Sequence, residues 1–178
     1  MNLNKLPTFK RDGVVRCVVE SPQGSTSKYK YEPEIEAFEL SRPLPKGLTY
    51  PFDWGFIPST LAADGDPVDV MIIHDAPSHP GLVVASKLIG VLEVLQQEGD
   101  DAPFRNDRVF AVPATSHRED EIGDVHDLPK RLRIELEAFF VAAAKLEDKK
   151  LQFLEWRGPA VAAQLVDDAR KRLENKLP

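Results

Sequence analysis

Cysteine is almost absent from this sequence, since Cys17 is the only one among 178 residues. A single cysteine cannot form an internal disulfide, and no cysteine or histidine spacing typical of a zinc site is present. No apolar run approaches the ~20 residues that a bilayer-spanning helix needs. The opening stretch MNLNKLPTFKRDG lacks the apolar core of a secretory signal. We therefore expect a soluble protein in the reducing cytoplasm, without a membrane partner.

Basic residues are also fewer than acidic residues in this sequence. The chain has 23 lysines and arginines against 29 aspartates and glutamates, which gives a net charge of −6. This balance argues against a general electrostatic hold on nucleic acid, although a local cationic pocket can still bind a small anion. The length and the hydrophobic fraction of 42% are ordinary for one domain with one core, so residues 1–178 are predicted to form a single domain.

The stretch LAADGDPVDVMIIHD, residues 61–75, places three aspartates within six residues. Gly65 permits a tight backbone path, so Asp64 and Asp66 can converge while Asp69 is carried on the following strand. A lone pair of aspartates in a turn is usually a solvated turn. An ionisable group between two valines of a β-rich run is better explained as a ligand. Oxygen ligands so spaced suit a hard cation such as Mg²⁺.

A calcium loop of the EF-hand type is excluded for this stretch. That loop needs glycine at its sixth position and glutamate at its twelfth. Counted from Asp64, those positions hold Asp69 and Asp75.

Period-2 patterns with turn signals predict five or six strands in the first two thirds of the chain. The clearest are residues 14–20, 28–31, 36–40, 68–73, 82–95 and 108–113. The first two are predicted to form a hairpin, and Gly90 to bend the longest strand. Helical spacing begins near Leu128, with Asp127 as the expected cap, and resumes after Gly158 with a stripe that begins at Val161. Strands followed by helices indicate an α+β fold.

The motif DGDPVDV, preceded by YPFDWGFIPSTLAA and followed by IGVLEV, resembles the soluble family I inorganic pyrophosphatases. The similarity extends from about Val14 to the C-terminal helix. The resemblance implies a small, five-stranded OB-like β-barrel flanked by two α-helices. It also implies hydrolysis of pyrophosphate to two phosphates by a metal-activated water, with several Mg²⁺ ions in the site.

The resemblance assigns roles to individual residues. Asp66 is the catalytic base and also a metal ligand. The remaining metal ligands matched to the family are Glu20, Asp64 and Asp69. The residues matched to substrate contacts are Lys28, Arg42 and Tyr50. Without the resemblance, each of these cations would be read as a solvated surface group and Tyr50 as a core tyrosine.

Several family positions are changed, and all of them belong to the same site. Family acids correspond to Lys30, Gln96, Gln97 and Asn106, a tyrosine to Trp54, and a tyrosine and a lysine to Ala143 and Ala144. Arg108 takes the position of a phosphate-binding lysine. Asp107 is the expected replacement metal ligand, with Asp101 as the competitor. Lys30, Arg105 and Arg108 are candidates to restore the lost positive charge.

The sequence therefore predicts a divergent Mg²⁺-dependent inorganic pyrophosphatase. The alternatives are an impaired homologue that acts as a metal-binding, phosphate-binding or scaffold protein, and a hydrolase of other phosphoanhydrides. The resemblance also implies a homo-oligomer, commonly a hexamer. The four histidines, His74, His79, His117 and His126, share no metal-like spacing and are interpreted as loop or surface residues.

Overall fold

Ten strands and two long helices make up residues 1–176, the part of the chain that this computed structural model describes. The strands are β1 (Phe9–Arg11), β2 (Val14–Ser21), β3 (Ser27–Glu32), β4 (Ala37–Pro43), β5 (Asp53–Ile57), β6 (Val68–Ile72), β7 (Val83–Glu98), β8 (Phe104–Arg105), β9 (Arg108–Pro113) and β10 (Lys149–Arg157). The helices are α1 (Lys130–Ala144) and α2 (Pro159–Lys176). No helix within these residues is long and apolar enough to cross a membrane. The last two residues of the predicted domain, Leu177 and Pro178, lie outside the described part.

Five strands close into a ring. β2 pairs with β5, β5 with β6, β6 with β9, β9 with β7, and β7 pairs back with β2. Only the β6–β9 pairing among these five is parallel. A sheet that closes on itself leaves few unpaired edges. The predicted α+β fold, a five-stranded OB-like barrel with two helices, is confirmed.

A bend at Gly90 lets β7 pair with four other strands. The 16-residue strand pairs with β2 near its start, with β9 in its middle, and with β8 and β10 toward its end. Its register with β9 shifts between Leu88 and Gly90, where Gly90 has φ +153°. A Cβ at this position would lie 2.3 Å from the carbonyl oxygen of Arg157. The bend predicted at Gly90 is therefore confirmed, and glycine is required there because the neighbouring backbone approaches so closely.

Each helix buries one face against the sheet. α1 places Leu136, Phe139 and Phe140 in a cluster with aromatic and aliphatic side chains from the strands. α2 buries Ala162, Val166 and Ala169 in a second cluster formed mainly by valines and isoleucines of the ring strands. The stripe predicted to begin at Val161 is thus confirmed in part: Ala169 is buried and Leu165 packs against this cluster, but Val161 itself is 41% exposed.

Two local predictions were wrong. β2 and β3 do not form a hairpin, because β3 pairs with β4 and β2 pairs with β5. Asp127 does not cap α1, which begins at Lys130 after Pro129. Instead, Asp127 and Asp124 form a capping box around the short 3₁₀ turn Val125–Asp127. In both cases the preferred partner is one that local spacing does not reveal.

Candidate active site

The acidic turn holds its carboxylates through backbone geometry. Gly65 adopts φ +91°, a left-handed conformation that glycine tolerates without strain. The backbone N–H of Asp66 donates to Oδ1 of Asp64 at 3.1 Å. Asp69 follows on β6 between the fully buried Val68 and Val70, so strand alternation turns its side chain to the opposite face from theirs.

These three carboxylates face one cavity of about 500 Å³. Four predicted substrate-binding residues line the same cavity: Lys28, Arg42, Tyr50 and Arg108. They come from β3, β4, the segment before β5, and β9. The fold thus brings together seven of the nine predicted site residues from sequence positions up to 80 residues apart.

Glu20 lines an adjoining cavity of about 340 Å³, which shares Lys28, Asp66 and Asp69 with the first. Its Oε1 accepts a hydrogen bond from the backbone N–H of Tyr31 at 2.7 Å. Burial raises the pKa of Glu20 to about 7, the Tyr31 hydrogen bond opposes this rise, and the negative charge of Asp69 adds to it. Glu20 is therefore a buried acid in a cavity that it shares with Asp66 and Asp69.

Asp107 and Asp101 are not brought to the aspartates. Oδ1 of Asp107 accepts hydrogen bonds from the backbone N–H of Val94 and from Nε of Arg105, both at 2.9 Å. Asp107 lines a different, mainly apolar cavity beside α2. Asp101 is exposed in the loop before β8. The arrangement gives Asp107 a structural role in holding the β8–β9 connection against β7.

The acids of the cavity are paired with cations. Nζ of Lys30 lies 3.2 Å from Oδ2 of Asp66, and Nη1 of Arg108 lies 2.7 Å from Oδ2 of Asp69. Burial and the nearby charges of Asp69 and Asp66 raise the pKa of Asp64, although the Asp66 N–H opposes this. Within residues 1–176, no group of three or more histidine, cysteine or acidic side chains is arranged closely enough to hold a metal ion.

The donor set on the aspartate side nevertheless fits a hard divalent cation. Asp64, Asp66 and Asp69 offer only oxygen atoms to one cavity, and oxygen is the ligand that Mg²⁺ prefers. The pair between Asp66 and Lys30 is about half exposed on both sides, and such pairs are weak. The carboxylate of Asp66 is therefore readily released to a stronger cation.

The same cavity also carries hydrogen-bond donors suited to an anion. Tyr50 is 4% exposed, and burial raises the pKa of its phenol well above the ordinary value. Nη1 of Arg42 is buried and has no hydrogen-bond partner among the described residues. A buried donor without a partner is costly unless a ligand satisfies it.

Three charged residues of the cavity were missed by sequence reasoning: Glu98, Glu147 and Lys149. Nζ of Lys149 lies 3.2 Å from both Oε1 of Glu98 and Oε2 of Glu147, and Glu147 also forms an ion pair with Nε of Arg42. Strand alternation from Gln96 would have placed Glu98 on the cavity face. Glu147 and Lys149 gave no such signal because β10 was not predicted.

The departures from the family pattern lie mostly in the same wall. Trp54, Gln96, Asn106, Ala143 and Ala144 all line the cavity. The other two changed positions do not line this cavity. Lys30 lines the adjoining cavity, and Gln97 lines neither of the two cavities. Lys149 supplies a positive charge on the side where the two alanines supply none.

Comparisons with known proteins agree with this geometry. A family model described as inorganic pyrophosphatase matches residues 17–174. The inorganic pyrophosphatase of Nostoc sp. is 37% identical over 171 residues, which are 96% of this chain and 98% of that protein. That of Thermus thermophilus is 40% identical over 169 residues, 93% of this chain and 94% of that protein. The crystal structure of inorganic pyrophosphatase from Thermus thermophilus matches 98% of this chain and 99% of its own with a TM-score of 0.89 and 36% identity. The chain therefore belongs to the inorganic pyrophosphatase family, the hydrolases of the phosphoanhydride bond of pyrophosphate.

Proposed function

We propose that the aspartate cavity hydrolyses inorganic pyrophosphate to two phosphates in a Mg²⁺-dependent reaction. The observation that carries this proposal is that one cavity is lined both by three carboxylates, those of Asp64, Asp66 and Asp69, and by cationic and phenolic donors. A doubly charged metal and a multiply charged phosphate need both kinds of group within one site.

Mg²⁺ would be held by Asp64, Asp66 and Asp69, with Glu20 supporting them from the adjoining cavity. When bound, the ion supplies charge neutralisation for the phosphate oxygens and lowers the pKa of nearby water. The three aspartates are carried by a turn with a left-handed glycine and by β6, and their side chains must move closer together to bind one ion. Asp107 is left out of the proposed ligands because Arg105 and the backbone of Val94 already occupy its carboxylate.

Asp66 is the proposed general base. Its side chain is 58% exposed, and its only ion pair within residues 1–176 is the exposed one with Lys30. A carboxylate that is open to water and weakly held can accept a proton from an attacking water molecule. Asp69, by contrast, is held by the buried Arg108 at 2.7 Å and is less free to do so.

Arg42, Lys28 and Tyr50 are the proposed phosphate contacts. The unpartnered Nη1 of Arg42 is a buried donor available to a phosphate oxygen, and guanidinium groups bind such oxygens with charge-assisted hydrogen bonds. A tyrosine is protonated at neutral pH, and burial raises the pKa of Tyr50 further, so its hydroxyl is available as a donor. Lys28 lines both cavities, and its ammonium group is a third donor to the phosphate oxygens.

The experiment is an assay of phosphate release from pyrophosphate with Mg²⁺ as the only divalent ion. We expect the unaltered chain to release phosphate and Asp66→Asn to lose on the order of a hundredfold to a thousandfold in kcat, the usual contribution of a general base. Asp12→Asn, in an exposed turn far from the cavity in sequence, is the matched control and should keep full activity. Absence of phosphate release from the unaltered chain at all millimolar Mg²⁺ concentrations would refute the proposal.

We also propose that the chain works as one domain in a cytoplasmic homo-oligomer, a hexamer by family resemblance. The buried, lone Cys17 is consistent with a reducing compartment. Light scattering after size-exclusion chromatography measures the assembly directly. A purely monomeric mass at micromolar concentration would contradict it.

A further inference from the structure

One wall of the active-site cavity is formed by two neutral amides and a guanidinium. Nη2 of Arg108 and Nδ2 of Asn106 both donate to Oε1 of Gln96, each at 3.2 Å. Nη1 of Arg108 also donates to Oδ1 of Asn106. Gln96 is 4% exposed and Arg108 8% exposed, so this network is largely removed from solvent. The family resemblance places carboxylates at the two amide positions.

The guanidinium of Arg108 is fixed from several sides. Its Nη1 donates to Oδ2 of Asp69 at 2.7 Å. Its central carbon lies 5.6 Å from the ring centroid of Trp54 and 6.0 Å from that of Phe140, within the range of cation–π attraction. Three oxygen acceptors and two aromatic rings together compensate for taking the charge out of water. The positive charge beside Asp69 is therefore permanent and positioned.

We propose that Arg108 replaces one divalent ion of this site as the charge partner of Asp69. This inference rests on the proposed pyrophosphatase function and concerns the number of metal ions that the site binds, which the replacement lowers by one. A dication next to Gln96 and Asn106 would meet neutral oxygens and, within a few ångströms, a fixed positive charge. At such distances in a partly buried site the two positive charges repel each other strongly. Divalent ions are thereby confined to the side formed by Asp64, Asp66 and the Oδ1 oxygen of Asp69, because Oδ2 of Asp69 accepts from Arg108.

The replacement also explains why the substitutions occur together. A carboxylate at Gln96 or Asn106 would compete with Asp69 for the guanidinium. A lysine at position 108 would place a single point charge where Arg108 makes contacts with Asp69, Asn106 and Gln96 at once. The two amides thus accept hydrogen bonds from Arg108, and its guanidinium supplies the positive charge that a metal ion would otherwise bring to this position.

The test counts Mn²⁺ ions bound per chain, by titration calorimetry and electron paramagnetic resonance, in the absence of pyrophosphate. The variant Gln96→Glu/Asn106→Asp/Arg108→Lys removes the guanidinium and adds two carboxylates. We expect it to bind one Mn²⁺ ion per chain more than the unaltered protein. Gln96→Glu/Arg108→Lys, a smaller change, is expected to gain the same ion with about tenfold weaker affinity and serves if the triple variant does not fold.

Gln97→Glu is the matched control. It adds an acid to the same strand at a position that does not line the cavity, and it should not change the number of bound ions. Equal ion counts in the unaltered protein and in the folded charge-restored variant would overturn the proposal. Because the count is made without substrate, this outcome is separate from a failure to release phosphate, which would refute the proposed function instead.

Discussion

Nε2 of His74 lies 2.7 Å from Oδ2 of Asp53, and both side chains are buried. The contact joins the segment after β6 to the first residue of β5. It raises the pKa of His74 above the ordinary 6.5 against the opposing effect of burial. Burial alone would raise the pKa of Asp53, but hydrogen bonds from His74, Ser78 and the backbone N–H of Gln23 outweigh it and lower that pKa below 3.8.

This pair predicts a pH dependence of folding stability. A histidine with a raised pKa contributes stability that is complete below pH 6.5 and is lost as the pH rises through the folded-state pKa. An aspartate with a lowered pKa contributes stability above pH 3.8 that is lost as the pH falls through its folded-state pKa. The contribution of the pair is therefore largest between these two values, and urea unfolding across pH 4 to 9 measures it.

The variant His74→Gln isolates the contribution of His74 from the titration of the other ionisable groups. The glutamine amide can still donate to Asp53 but does not titrate in this range. We expect the difference in unfolding free energy between the unaltered protein and His74→Gln to shrink as the pH rises above 6.5. Parallel curves for the two proteins over the whole range would contradict the assignment.

The barrel could largely be predicted from the sequence, because β2, β6, β7 and β9 carry apolar runs bounded by turn residues. β5 could not, since Pro51 and Pro58 bracket it and suggest irregular structure. β10 could not either, because it begins with two lysines and its alternation is interrupted by a register shift between Phe153 and Trp156. Its stability comes from a non-local pairing with β7 that no local pattern records.

The site divides in the same way. Asp64, Asp66 and Asp69 were recognisable from spacing alone, because one turn and one strand hold them. His74 does lie in a loop, as interpreted, but it is buried and not at the surface, and its partner Asp53 lies 21 residues earlier on an unpredicted strand. A buried polar partner at such a distance leaves no local signature in the sequence.

Gly90→Ala should strongly destabilise the fold. The added Cβ would lie 2.3 Å from the carbonyl oxygen of Arg157 and 2.6 Å from Val125, and the residue would retain φ +153°. Overpacking and backbone strain together predict a loss of about 3 kcal/mol in unfolding free energy, measured by urea denaturation. Gly13→Ala, at φ +68° with no atom within 4 Å of the new Cβ, isolates the strain and should lose only about 1 kcal/mol. Equal losses would show that crowding at Gly90 is unimportant.

Lys149→Met should weaken pyrophosphate binding. Lys149 lines the same cavity as Ala143 and Ala144, and it shares the carboxylate of Glu147 with the proposed phosphate contact Arg42. Loss of one charge-assisted contact predicts a KM about tenfold higher with a smaller change in kcat. Lys150→Met, on the next residue of β10 and exposed, should leave both constants unchanged. The same KM in the two variants would exclude Lys149 from substrate binding.

Glu147→Gln should strengthen pyrophosphate binding. Glu147 forms ion pairs with Nε of Arg42 and with Lys149, so an incoming phosphate must compete with its carboxylate for both cations. The neutral amide keeps the shape of the side chain and removes that competition, which predicts a KM lower by about threefold. Because the site becomes more positive toward the anion, KM should also rise more steeply with salt. Glu155→Gln, toward the exposed end of β10, is the control for a change in net charge alone. A higher KM in Glu147→Gln would mean that Glu147 positions Arg42 for the phosphate rather than competing for it.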